Sequence, residues 1–174
     1  MRNKKLKKTV LSAMFLSIGM ILPFFTSQIK EIGDSLLPMH IPVMLCGLVC
    51  GPLSGLMVGL VLPVLRSLLF SMPPLYPASV WMACELGTYG FVIGLLYSFR
   101  GNKKIWYLYL SLIVSMLSGR IVWGIVKTLL LGIGGKAFGF EAFLIGGFID
   151  AIPGIILQLV LIPLIMSLIK EKQI

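Results

Sequence analysis

Five ionisable residues lie within long apolar segments of the chain: Arg66, Glu85, Arg120, Lys127 and Asp150. In a membrane, each such charge costs about 2.5 to 3.5 kcal/mol at the bilayer centre on insertion scales, so it requires a partner. Pairing within the set is one explanation, with Arg66 beside Glu85 and Lys127 beside Asp150. Because the set holds three positive and two negative residues, one positive charge remains, and a bound anion would neutralise it.

Two helical stripes combine these charges with aromatic side chains. Spacings of three or four residues place side chains on one face of a helix. Aromatic walls with a few convergent polar groups are typical of small-molecule pockets, although tryptophans near helix ends also serve as interface anchors. The stripes consist of Arg120, Trp123 (or Gly124) and Lys127 on one predicted helix and of Trp81, Glu85 and Tyr89 on another.

His40, the only histidine of the chain, stands at the start of an apolar segment. An imidazole titrates near neutral pH and is able to bind a ligand. The alternative role for this side chain is a hydrogen bond that caps the preceding loop. We include His40 among the candidate substrate-binding residues.

No enzyme signature accompanies this candidate pocket. The chain has no GxxxxGK[ST] segment for nucleotide hydrolysis. One histidine and scattered acids do not form a metal-ligand set. We interpret Cys46, Cys50 and Cys84 as small buried packing residues rather than as a disulfide framework or a CxxxC metal site. We therefore expect no catalytic residues, no metal and no cofactor.

The composition indicates an all-α integral membrane protein. Of 174 residues, 58% are hydrophobic and only 12% are charged, which is too little polar surface for a soluble domain. The net charge of +9 arises largely from Lys and Arg at the two termini and at 100–104. This placement indicates membrane topology rather than nucleic-acid binding. Residues 1–174 are predicted to form a single domain.

A membrane helix needs about 20 apolar residues, and the chain accommodates six spans. We interpret the first apolar run as a retained helix, because no small-residue cleavage site follows Phe25. Basic residues select the cytoplasmic side, so both termini are predicted to be cytoplasmic. The second helix is short for a span and is expected to tilt or to break near Pro42. The predicted helices cover about residues 9–27, 41–50, 53–71, 78–99, 105–135 and 141–169.

Glycines recur every four residues at Gly47, Gly51, Gly55 and Gly59. Small residues at this spacing allow helix backbones to approach closely inside a membrane. Gly51 and Pro52 are predicted to reverse the chain. The segment therefore predicts a tightly packed helical hairpin.

The stretch IPVMLCGLVCGPLSGLMVG, residues 41–59, resembles the substrate-binding S components of energy-coupling factor (ECF) vitamin transporters. The basic N-terminus, the small-xxx-small pair Ala13 and Ser17, and six spans agree with that family over almost the whole chain. The resemblance implies a multi-pass subunit of a bacterial cell membrane that binds a vitamin in an outward-facing pocket. It also implies docking, through Ala13 and Ser17, on a transmembrane coupling subunit that carries two ATPases. Residues 28–40 would form part of a lid.

A non-transport membrane scaffold of cell-envelope assembly is the alternative function. On the predicted topology, four of the five buried charges share the outer half of the membrane, with Arg120 nearer the middle. A scaffold does not need such a cluster with excess positive charge, so we favour the transporter subunit. The surplus positive charge favours a carboxylate or phosphate over a cation. Pantothenate fits best, with nicotinate, folate-like and pyridoxal-type compounds next, and thiamine is disfavoured.

Overall fold

The computed structural model describes residues 2–26, 36–99, 105–135 and 139–171, and the regular secondary structure in these ranges is helical. Residues 28–35 of the predicted lid and the whole predicted 100–104 loop lie outside the described residues. A π-helical segment, Ile145–Ile149, follows the sixth α-helix. The α-helices are α1 (Arg2–Thr26), α2 (His40–Cys50), α3 (Pro52–Phe70), α4 (Ala78–Phe99), α5 (Ile105–Ile133), α6 (Phe140–Leu144) and α7 (Ile152–Glu171).

The predicted count of six spans is only partly correct. α2 has 11 residues, so it is about 16 Å long at 1.5 Å per residue, roughly half of a bilayer core. The cytoplasmic location of both termini stays a prediction. Five helical stretches of the described chain are long and apolar enough to cross a membrane, namely Asn3–Phe25, Pro52–Phe70, Ala78–Phe99, Ile105–Ile133 and Phe140–Ile169.

The short helix α2 lies at the centre of the bundle. It contacts α1, α3, α4 and α7, and all of its residues except Val49 are buried. Its side chains at Val43, Met44 and Cys46 have no solvent exposure. An apolar helix without a polar face is expected in a bundle core. α2 therefore positions its first residue, His40, inside the protein and not in a loop.

The predicted glycine contacts join α2 and α3 to α4. A Cβ atom added to Gly47 or to Gly55 would collide with the backbone of Gly90, and one added to Gly59 would collide with the α4 backbone one turn earlier. Gly51 has a different role, since its φ of 98° ends α2 and its N–H donates to the carbonyl of Gly47 at 3.0 Å. That left-handed region of φ favours glycine. The predicted hairpin is confirmed, and its packing partner is α4.

One predicted helix boundary is wrong, and one predicted helix is interrupted. The first helix begins at Arg2 and not near residue 9, so its basic residues belong to the helix. The last predicted helix, 141–169, is interrupted, because the N–H of Asp150 donates to the carbonyl of Ile145 at 2.9 Å, one residue further back than in an α-helix. Pro153 has no N–H with which to continue the helical hydrogen bonds, and α7 begins just before it.

Candidate functional site

Three buried polar residues meet at one carboxylate oxygen. Glu85 of α4 places Oε1 at 2.9 Å from Nη1 of Arg120 on α5. The same oxygen lies 3.4 Å from Nε2 of His40 on α2. The three residues are 2%, 4% and 2% exposed, in the order Glu85, Arg120 and His40. We call these residues the ionic centre. The suggested pairing of Glu85 with Arg66 is therefore wrong.

The ionic centre leaves several of its polar atoms without hydrogen bonds. Among the described residues, Nε and Nη2 of Arg120 and both ring nitrogens of His40 have no hydrogen-bond partner. The two contacts to Glu85 Oε1 are close enough for ion pairing, but their angles lie outside hydrogen-bond geometry. Buried polar groups are normally hydrogen-bonded, so donors in this position favour a further polar partner.

A layer of indole rings adjoins the ionic centre. Nζ of Lys127 lies 4.4 Å from the ring centre of Trp123 and 5.4 Å from that of Trp81. Cζ of Arg120 lies 5.9 Å from the ring centre of Trp123. Cations are attracted to the negative face of an aromatic ring at such distances. The predicted stripes on α4 and α5 therefore face each other, with Lys127 between the two indoles.

Tyr89 closes the ionic centre on another side. Its ring centre is 5.0 Å from that of His40, at an interplanar angle of 71°. The Tyr89 side chain is 2% exposed and lies against Gly119 of α5, where an added Cβ would meet the ring at 3.0 Å. The small residue on α5 thus allows the phenol ring to fill the space between α4 and α5.

Arg66 does not reach the ionic centre. Its Nη1 donates a hydrogen bond to the carbonyl of Met20 on α1 at 2.8 Å. Its Cζ lies 5.0 Å from the ring centre of Phe24 and 5.7 Å from that of Phe70. Arg66 therefore links α3 to the end of α1, apart from the ionic centre.

Asp150 is also separate from the ionic centre. Its side chain is exposed, whereas the next residue, Ala151, is 2% exposed. The sequence analysis placed Asp150 within one continuous helix, residues 141–169. The π-helical segment before it changes which residues face the interior. The break places Ala151 rather than Asp150 toward the protein interior.

One buried polar residue, Gln158, was missed by the sequence analysis. It is 1% exposed, and its Nε2 has no hydrogen-bond partner among the residues described. It lies on α7 between Ile155 and Ile162, which both belong to the apolar group around Ile41 and Tyr89. A lone amide within an apolar membrane helix was the available signal.

An apolar groove of about 490 Å³ lies outside the polar site, on the adjoining face of α5. The ionic centre does not line it, and the hydroxyl of Thr128 in its lining already donates to the carbonyl of Gly124 at 2.7 Å. The groove thus offers little with which to orient a water-soluble ligand. Its lining residues are Ile121, Gly124, Ile125, Thr128, Leu129, Gly139, Phe140 and Phe143.

The helices are able to cross a membrane, and they surround a few buried charges and indole rings. These features define a multi-pass membrane protein with a polar cluster in its interior. The chain belongs to the substrate-specific components of the ECF transporters, whose family model matches residues 7–166. This range includes all residues of the ionic centre. The family is one of transporter components and not of enzymes. No curated protein matches the chain significantly.

Proposed function

We propose that this protein captures a small water-soluble vitamin or related micronutrient at the outer side of the cell membrane. It releases the compound inside when it docks on an energy-coupling module with one transmembrane subunit and two ATPases. Family membership supports this role over that of a membrane scaffold in cell-envelope assembly. The observation that carries the proposal is the ionic centre, which places buried polar donors inside an apolar bundle.

The cationic donors of the site support an anionic substrate. Nε and Nη2 of Arg120 are buried and have no hydrogen-bond partner among the described residues. An anion satisfies buried cationic donors, whereas a cation is repelled by them. Pantothenate, a hydroxylated monoanion, remains the preferred candidate. Nicotinate, folate-like and pyridoxal-type compounds follow, and thiamine is disfavoured.

The proposed docking face consists of Ala13 and Ser17 on α1. Both residues are exposed, and the hydroxyl of Ser17 donates to the carbonyl of Ala13 at 3.0 Å. The hydroxyl is thus satisfied within its own helix and does not require a polar partner. Small residues at this spacing permit close approach of another membrane helix.

A thermal-shift assay of the purified protein tests the substrate-binding role. The compounds are pantothenate, nicotinate, folate, pyridoxal and thiamine, and ATP is omitted because the energy source is not in this chain. We expect at least one compound to raise the unfolding midpoint, since a ligand at 100 times its Kd adds about 2.7 kcal/mol. If none of them stabilises the protein, the proposed role in vitamin binding is refuted.

A further inference from the structure

The guanidinium group of Arg120 has two N–H edges in different situations. Nη1 lies 2.9 Å from Oε1 of Glu85. Nε and Nη2 form the other edge, and their N–H bonds point in the same direction. Both of these atoms are buried and have no hydrogen-bond partner in the part of the chain that the structure describes. An arginine edge of this kind matches the two oxygens of a carboxylate.

We infer that the Nε and Nη2 edge of Arg120 binds a carboxylate group of the substrate through two parallel hydrogen bonds. This inference rests on the proposed function and specifies the chemical class of its substrate. Glu85 then acts as a positioning residue, because its ion pair with Nη1 holds the guanidinium group between α4 and α5. Nε2 of His40 lies 3.4 Å from the same oxygen of Glu85, so His40 also contacts this carboxylate.

The surroundings of Arg120 include the indole ring of Trp123, with Cζ of Arg120 at 5.9 Å from the ring centre. An indole has no acceptor for a hydrogen bond from Nε or Nη2.

The test compares ligands that differ at the carboxylate group. Pantothenate is paired with its neutral alcohol, pantothenol, and nicotinate is paired with nicotinamide. Equilibrium binding is measured by calorimetry on the purified full-length protein. We expect one of the two carboxylates to bind, and its neutral counterpart to bind about 100-fold more weakly, because each of two bonds to a charged group contributes roughly tenfold or more.

Two arginine variants serve as a matched pair in the same assay. Arg120→Lys retains the positive charge beside Glu85 but removes the paired Nε and Nη2 donors. We expect it to lose about 100-fold in carboxylate affinity. Arg66→Lys changes a buried arginine that contacts α1, and we expect less than threefold change. The ligand comparison on the unmodified protein still decides the question if Arg120→Lys does not fold.

The outcomes separate this inference from the proposed function. Equal affinity for a carboxylate and its neutral counterpart refutes the carboxylate site, as does unchanged affinity in a folded Arg120→Lys variant. If thiamine or pyridoxal binds tightly and neither carboxylate does, the carboxylate site is refuted while vitamin binding stands. If no compound binds, both are refuted.

Discussion

The contact between Glu85 and Arg120 predicts a large effect of the substitution Glu85→Gln. The two side chains are 3% and 5% exposed, so the substitution leaves a buried arginine without its carboxylate partner. Removal of one member of a buried ion pair costs about 3 to 5 kcal/mol. At roughly 2 to 4 °C per kcal/mol for a chain of this size, we expect the unfolding midpoint to fall by about 6 to 20 °C.

A double-mutant cycle assigns that loss to the pair itself. The variants are Glu85→Gln, Arg120→Met and their combination, each measured by thermal unfolding in the same detergent. The second substitution removes the uncompensated charge. We therefore expect the loss of unfolding free energy in the double variant to be smaller than the sum of the two single losses, by about 1 kcal/mol or more. Arg66→Met, alone and combined with Glu85→Gln, is the matched control, since Arg66 contacts α1 and not Glu85. Equal coupling of Glu85 to both arginines, or an unchanged midpoint in Glu85→Gln, contradicts the pairing.

Three further predictions concern the helix contacts. Gly55→Ala introduces a Cβ against the α4 backbone, whereas Gly132→Ala meets no atom within 4 Å. We expect only the first variant to lose free energy of unfolding, by roughly 1 to 3 kcal/mol or more, and so to have a lower unfolding midpoint. Arg66→Met should lower the midpoint but change ligand affinity by less than threefold in calorimetry, and a tenfold loss would return Arg66 to the substrate site. Ala13→Leu and Ser17→Leu should leave ligand binding intact and abolish uptake in cells with all subunits; normal uptake in both variants would refute the docking face.

The sequence is most informative where local chemistry decides the structure. The bounds of α4 and the start of α5 agree with prediction, and the prolines at 73, 74 and 77 explain why no helix runs on into α4 from the preceding segment. The glycine spacing at 47–59 predicted close packing of backbones, and the glycine contacts confirm it. Each of these features depends on residues that are near in sequence.

Sequence patterns did not predict which residues the buried charges contact. Helical spacing indicates which residues share a face of one helix, but not which helix that face meets. Arg66 and Arg120 were equally available partners for Glu85 until the arrangement of the helices was known. α3 turns its glycines toward α4, and Arg66 contacts α1. Asp150 follows a π-helical turn that no periodicity in the sequence indicated.

The glycine contacts also determine which helices of the bundle are able to move relative to one another. Apolar side chains are able to change rotamer when space is needed, but two backbones in direct contact have nothing to rearrange. α2, α3 and α4 therefore form a stiff block that carries His40 and Glu85. Arg120 is on α5, which adjoins the short α6, the π-helical turn and the apolar groove. Any widening of the site around a ligand thus requires α5 and its neighbours to move away from the stiff block.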